Sequence, residues 1–494
     1  MANQHKTLLD AVRKHADRHP EKTAIVGFNG KSQSYGELWG SIQHFKNLLK
    51  DAGLSYQDRV LLIAGKECYF PAQYLAVHLA GGISVPIDPT MPEQRIHAIS
   101  ANCNPKYVLG ESGIDRVEKF GEQYHVPGCS ENAVPAANLG NDTLADLIYT
   151  SGTTGRPKGV LLTHKNLVAA IRNINCFLGT KASDVEIIAL PLSHSFGLGR
   201  LRCVLWEGGC VVMVDGFGRP KNIFSCIEKY GATGIGMVPA AWATLYFLSR
   251  EYIGRYASQI RYVEIGSAPM LTHHKELLAG LLPDTRVCMH YGLTEASRAI
   301  FQEFHEDRGS LTALGRASPL ARVAIKDDRG ANVPNGQHGE ICVKGGMVTK
   351  RYWGDSVLTQ KSFWGDWFRT GDIGHEDAAG LIYLFGRKTE IINVGGRKVS
   401  PVEIEEALRR LPEIMDAAVV GISDPVSGEA VKAYLVTGDN KPELRVIQQF
   451  LKKYLESYKI PLDVSYVSSI PKTASGKIQR HKLLRCDRDA GYEN

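Results

Sequence analysis

The stretch DLIYTSGTTGRPKG, residues 146–159, changes character halfway along. Asp146-Leu147-Ile148-Tyr149 is a short apolar run that reads as a strand, and it stops at a loop without Val, Leu or Ile. In that loop Gly152, Gly155 and Gly159 predict positive φ and converging backbone N–H groups. Thr150, Ser151, Thr153 and Thr154 add hydroxyl donors, and Lys158 adds a positive charge. A strand running into such a loop is the arrangement of a phosphate cradle at a sheet edge. A Walker A loop would place Gly directly before the lysine and Ser or Thr after it. Pro157 and Gly159 hold those places, so that motif is absent.

The sequence on either side agrees with an α/β sheet. Strand-like runs at Ala24-Ile25-Val26, Val60–Ile63, Ile83-Ser84-Val85, Tyr107-Val108-Leu109, Ile187–Leu190, Val211–Val214, Ile235–Val238, Tyr262–Ile265 and Val287-Cys288-Met289 alternate with helical patterns, such as Tyr35 to about Ala52 stopped by Gly53. This alternation predicts parallel sheets covered by helices. Across 310–385 the pattern turns to short strands with Gly-rich turns, predicting a β-rich subdomain. A boundary is read at Gly386-Arg387-Lys388-Thr389-Glu390. Beyond it Ser400-Pro401-Val402-Glu403 forms a capping-box pattern that opens a helix to about Leu411. The expected organisation is therefore 1–386, a hinge at 387–390, and a smaller unit at 391–494.

Composition narrows the class. A chain of 494 residues exceeds what one core serves, and 44% hydrophobic with 22% charged residues is the balance of a soluble globular protein. A net charge of +6 suits an anionic small ligand without arguing for nucleic acid. Ten cysteines with no C-x-x-C pair fit neither a zinc site nor a disulfide framework, so a reducing, cytoplasmic setting is expected. No signal-peptide layout opens the sequence. The most apolar stretch, 69–87, is broken by Gln73, His78, Gly81, Gly82 and Pro86, and falls short of the roughly 20 residues of a membrane span.

Five more stretches carry chemistry: Pro191-Leu192-Ser193-His194-Ser195-Phe196-Gly197, Tyr291-Gly292-Leu293-Thr294-Glu295, Arg369-Thr370-Gly371-Asp372, the boundary stretch, and Pro471-Lys472-Thr473-Ala474-Ser475-Gly476-Lys477. With the 150–159 loop, in this order and over essentially the whole chain, they resemble the adenylate-forming family that includes acyl- and aryl-CoA ligases, peptide-synthetase adenylation domains and firefly luciferase. One such motif is weak evidence; six in the family's order are specific.

The resemblance implies a large N-terminal domain of two doubly wound sheets with a β-subdomain, and a small mobile α+β C-terminal domain. It implies two steps: a carboxylate attacks the α-phosphorus of Mg-ATP to give acyl-AMP and pyrophosphate, and a thiol then displaces AMP. The first step brings an anion to an anionic electrophile, so charge must be neutralised and the groups held in line. By resemblance, Thr150, Ser151, Gly152, Thr153, Thr154, Gly155 and Lys158 clasp the β- and γ-phosphates. Glu295 takes Mg²⁺, Thr294 donates to the α-phosphate, and Lys477 bridges α-phosphate and carboxylate. Ser267, Ala268, Pro269, His290, Tyr291 and Gly292 surround the nucleotide, Tyr291 offering its face to adenine, while Asp372 accepts from the ribose hydroxyls with Arg387 beside it. As isolated residues these have plainer readings: Glu295 solvated, Tyr291 a core aromatic, Asp372 a turn residue, Arg387 an interdomain ion pair, His194 a structural histidine.

For the second step the resemblance puts the hinge at Thr389, where relatives mostly carry Asp or Lys, and turns Gly395, Gly396 and Lys398 toward the thiol. The acid pocket it implies is lined by His194, Ser195, Phe196, Val238, Trp242, Gly266, Ser267, Gly292 and Leu293. Ser195 stands where amino-acid-activating relatives have Asp; a hydroxyl does not neutralise a buried ammonium, which disfavours α-amino acids. An aryl or short-to-medium aliphatic acid fits best, and Arg200, Arg202 and Arg298 leave a second anionic group open. Three functions stay open: an acid:CoA ligase, a stand-alone enzyme loading the phosphopantetheine of a separate carrier protein, and a non-catalytic nucleotide-binding regulator. No carrier-like segment follows Lys477.

Overall fold

The computed structural model describes residues 6–110, 113–116, 142–151, 157–473 and 476–489. Of the phosphate-loop residues, Gly152, Thr153, Thr154 and Gly155 lie outside them.

The strand-like runs fall into two mixed sheets. One has nine strands, and its middle six, Arg286–Tyr291, Tyr262–Ile265, Gly234–Met237, Val185–Ile188, Cys210–Met213 and Thr23–Val26, lie side by side and parallel, with antiparallel strands at both edges. The other has six, in which Tyr107–Gly110, Arg59–Ile63, Ile83–Ile87 and Leu144–Ser151 are parallel and Gly113–Arg116 and Pro157–Thr163 close the edges antiparallel. The central strands are buried on both faces, as near-continuous apolar runs predict. One apolar cluster joins the sheets, mixing Ile25, Ile188 and Val211 of the first with Val60, Leu109 and Ile148 of the second through helices such as Leu8–Arg18, Tyr35–Asp51 and Ser195–Glu207. This is the doubly wound architecture expected from the alternation.

The β-rich stretch forms a separate five-stranded sheet from Ala321–Lys326, Gly339–Gly345, Phe363–Trp364, Trp367–Glu376 and Ile382–Arg387. A further five-stranded sheet begins at Ile392–Val394, packs on Pro401–Leu408 and Leu444–Leu451, and has its own cluster around Val399, Ile404, Val419 and Leu435. Among the described residues no helix is long and apolar enough to cross a membrane.

Two local expectations are corrected. The helix opened by Ser400 ends at Leu408, a turn before Leu411: Arg410 and Leu411 switch to i−3 hydrogen bonds, and Pro412 disfavours helical geometry at the residue before it. The capping box is half formed. Ser400 Oγ accepts from Glu403 N, while Glu403 pairs with Lys459 at 2.8 Å instead of reaching back.

Candidate functional site

Two of the sequence motifs and two other groups of expected site residues sit at the carboxyl ends of adjacent parallel strands. The order Arg286–Tyr291, Tyr262–Ile265, Gly234–Met237, Val185–Ile188 places Gly292–Glu295, Gly266–Pro269, Val238 and Pro191–Ser195 along one sheet edge. That edge is where open α/β sheets bind ligands. The phosphate-loop hairpin comes from the other sheet. Its strands pair Thr150 with Lys158 directly, putting hydroxyl and ammonium on the same face, and Ser151 with Pro157 at the last rung. Gly159 does not need the positive φ expected of it; its missing Cβ makes room for Leu147 and Trp353, which a methyl would meet at 2.7 and 3.1 Å.

The floor of the edge is tightly built. A Cβ on Gly266 would collide with the His290 ring, and one on Gly292 would meet Arg298 N at 2.5 Å. Ser267, between Gly266 and Ala268, is held at φ +77, a left-handed conformation that non-glycine residues adopt only when their surroundings impose it. Phe196 is buried with its ring edge-on to His290, centroids 4.6 Å apart. Trp242 differs from the expectation: its indole is fully buried in the core behind Val238 rather than on the pocket surface, and its Nε1 has no partner.

At one end, Tyr291 Oη donates to Asp372 Oδ2 at 2.5 Å and Arg387 Nη1 donates to Asp372 Oδ1 at 2.9 Å. Asp372 and Arg387 are register partners on adjacent strands, so the pairing follows from the sheet itself. Tyr291 thus directs its hydroxyl at Asp372. Burial works against the Arg387 charge, yet Asp372, Tyr291 and Glu295 together raise its pKa, which places all four groups in one field. Glu295 is nearly buried and accepts from Tyr352 Oη at 2.7 Å, leaving its second oxygen for a cation. Among the described residues no cluster of three or more His, Cys, Asp or Glu could hold a metal, so a divalent ion here would depend on Glu295 and on the ligand's own oxygens, as Mg²⁺ bound with a nucleotide does.

At the other end, Thr294 Oγ1 lies 3.4 Å from Ser195 Oγ, the first residue of the helix Ser195–Glu207. His194 is that helix's N-cap and makes no side-chain cap bond. The residue is exposed, yet desolvation of its ring lowers the imidazole pKa, Asp88 opposing and Arg95 adding to the lowering.

The three arginines raised as partners for a second substrate anion are all engaged. Arg200 grips Glu186 through Nε and Nη2 at 2.7 and 2.5 Å, fully buried. Arg202 is bound to Asp146, which also takes Tyr74 Oη and His78. Arg298 pairs with Glu264 at 3.1 Å and donates to the carbonyls of Ser195 and Phe196 at 3.0 Å each. Glu264, with Arg298, Arg200 at 3.4 Å and His290 at 2.7 Å, is the hub beneath the pocket. Burial disfavours its charge, but Arg298, the His290 hydrogen bond and Arg200 together hold its carboxyl well below the usual range. Sequence reading missed Glu264 and Glu186; the signal was a single carboxylate inside each otherwise apolar strand, VEII and YVEI.

The C-terminal unit reaches the same edge. Thr473 N donates to Lys477 O at 2.8 Å and Gly476 N to Thr473 O at 2.9 Å, with Gly476 at φ +86. A Cβ on Gly476 would sit 3.5 Å from Ala268 Cβ, so the segment carrying Lys477 lies against Ser267–Pro269, with Lys477 itself exposed. Thr389 lies exposed between the strands Ile382–Arg387 and Ile392–Val394. Gly395 and Gly396, at φ +56 and +80, make a two-residue turn between Ile392–Val394 and Arg397–Val399, the geometry of a type I′ hairpin, with Lys398 exposed on it.

The AMP-binding enzyme model matches residues 12–353 and the AMP-binding enzyme C-terminal domain model residues 403–477. A 4-coumarate–CoA ligase 5 from Oryza sativa subsp. japonica is 30% identical, covering 96% of this chain and 93% of that protein. The ATP-bound MatB from Rhodopseudomonas palustris superposes with a TM-score of 0.86 at 26% identity, covering 98% and 99% of the two chains. The o-succinylbenzoate CoA synthetase MenE from Bacillus subtilis, in complex with an acyl-adenylate, gives 0.85 at 25% identity over 96% and 97%.

Proposed function

The chain belongs to the AMP-binding enzyme family of adenylate-forming enzymes and is an AMP-forming acid–thiol ligase, and from that premise we propose that it joins a monocarboxylic acid with an uncharged body to CoA through an acyl-adenylate. The observation that carries the acid's character is the engagement of Arg200, Arg202 and Arg298 by buried carboxylates and carbonyls, which leaves none of these three free for a second acidic group. The acid lies among His194, Ser195, Phe196, Val238, Gly266 and Leu293, an aryl or short-to-medium aliphatic body against mostly apolar walls.

Each charge has a receiver in this reading. Thr150 and Lys158 meet the β- and γ-phosphates, Asp372 and Arg387 hold the ribose, and Thr294 donates to the α-phosphate. Magnesium, when bound with ATP, neutralises triphosphate oxygens, and Glu295 holds it. Lys477 places its ammonium between the incoming carboxylate and the α-phosphate, lowering their repulsion and aligning them. The C-terminal unit then turns about Thr389 and exchanges the Lys477 face for the Gly395-Gly396 hairpin, which borders the thiol.

The test is pyrophosphate release across an acid library, repeated with CoA and with a phosphopantetheinylated carrier protein. Aryl and medium-chain monoacids are expected to outperform their ω-carboxylated analogues by at least about tenfold, the scale of one unpaired charge at a partly solvated site. Equal use of dicarboxylates refutes the substrate class, and faster transfer to the carrier than to CoA refutes the acceptor.

A further inference from the structure

Arg480 follows Lys477 by three residues and begins the helix Arg480–Asp489. Its guanidinium is nearly buried and fully engaged: Nη1 donates to Glu390 Oε2 at 2.6 Å, Nη2 to Glu405 Oε1 at 2.6 Å, and Nε to the carbonyl of Val419 at 3.0 Å. These acceptors come from three places, namely the residue after Thr389, the helix Pro401–Leu408 and the strand Ile414–Asp424. Glu405 is itself fixed, accepting from Val419 N at 2.8 Å. One side chain therefore ties the segment carrying Lys477 to the residue that immediately follows the hinge position Thr389. A planar guanidinium with several donors suits this; a lysine could not serve all three acceptors in these directions.

We propose that Arg480 is a positioning residue for adenylation, acting through Glu390 to make the placement of Lys477 follow the hinge. This rests on the ligase reading above, because it needs Lys477 to act in the first step only. Without the Glu390 arm, the segment carrying Lys477 is anchored by the Arg480–Glu405 pair and the Thr473–Lys477 hydrogen bonds but no longer registered to the hinge. Lys477 then reaches the sheet edge in a wider range of positions, which slows the step that uses it. The second step presents a different face and does not feel the change.

The experiment uses the full-length enzyme and its best acid. Glu390→Gln alters a group at the surface end of the pair and leaves the buried Glu405 compensated, so folding is retained; Arg480→Met removes both arms. Pyrophosphate exchange and thioester formation from supplied acyl-AMP are measured separately, with unfolding midpoints alongside. Glu390→Gln is expected to slow exchange about tenfold, with KM for ATP within about twofold and thioester formation within about twofold. The double variant is expected to lose no more exchange activity than Arg480→Met alone, since both act through one pair. Equal loss in both half-reactions, additive losses, or unchanged exchange in Glu390→Gln overturns the proposal. Lys477→Ala runs as the control: if it divides the half-reactions and Glu390→Gln does not, only this inference fails; if Lys477→Ala does not divide them, the division of labour itself fails.

Discussion

In the proposed pocket, Ser195 is where a single side chain bears most directly on substrate choice. Its hydroxyl faces Thr294, and as the first residue of a helix it occupies a position where an aspartate is favoured by the helix dipole, by about 0.3–1 kcal/mol. Ser195→Asp should therefore fold normally while setting a carboxylate beside the incoming one. Steady-state kinetics should show a rise in KM for the acid of at least about tenfold with KM for ATP little changed. Glu264 is the opposite kind of residue, structural and unforgiving. Removing its charge leaves Arg298 without a carboxylate partner in the interior, although Arg200 keeps Glu186, and Glu264→Gln should lower stability by about 3–5 kcal/mol in denaturant melts. Acid acts the same way. Glu264 has a depressed folded pKa, so its stabilisation is complete above its ordinary value and is lost as pH falls through the folded one. His290 is also lowered by burial, so the unfolded chain takes up its proton first and stability declines as pH drops below about 6.5. Thermal melts should fall from that pH downward. Ser195 was legible from its motif. Glu264 was not, since pairing across strands is decided by sheet order and leaves no periodicity.

Among the elements, the strand that ends at the phosphate loop was read from local chemistry, because an apolar run that stops at hydroxyls and glycines has few other conformations, while the Gly395-Gly396 pair was given only a thiol-side role by resemblance and its hairpin turn was not read. The turn permits a sharp test. Both glycines have positive φ, where an L side chain costs about 1–2 kcal/mol, so Gly396→Val should distort the hairpin without touching the sheet edge. Thioester formation from acyl-AMP should drop about tenfold while pyrophosphate exchange stays within about twofold. The elements read less well are those whose limits are set by neighbours. The helix after Ser400 was carried too far, because its apolar spacing continues to Leu411 while Pro412 ends the helical geometry earlier. Trp242 was assigned to the pocket, yet its helix turns that face into the core.

At the scale of the molecule, the order of motifs predicted that distant segments share one edge, and the segment carrying Lys477 does lie beside Ala268 despite about two hundred residues between them. What motif order could not give is which face the smaller unit presents, since that depends on contacts such as the burial of Glu406 near Lys275, made by side chains with no sequence signature. The segment carrying Lys477 is seated and the Gly395-Gly396 hairpin is exposed, which is the arrangement the proposed mechanism assigns to adenylation. Lys477 is exposed, so Lys477→Ala leaves no buried partner unpaired and should not alter stability. In the proposed mechanism it removes a charge that only the first transition state uses, and losing one such stabilising group costs about 10²–10³ in rate. Pyrophosphate exchange should fall by that factor, and thioester formation from purified acyl-AMP should stay within about threefold of the parent. A parallel fall in both would mean that Lys477 serves the closed cleft in general, and that one pose, rather than two, performs the whole reaction.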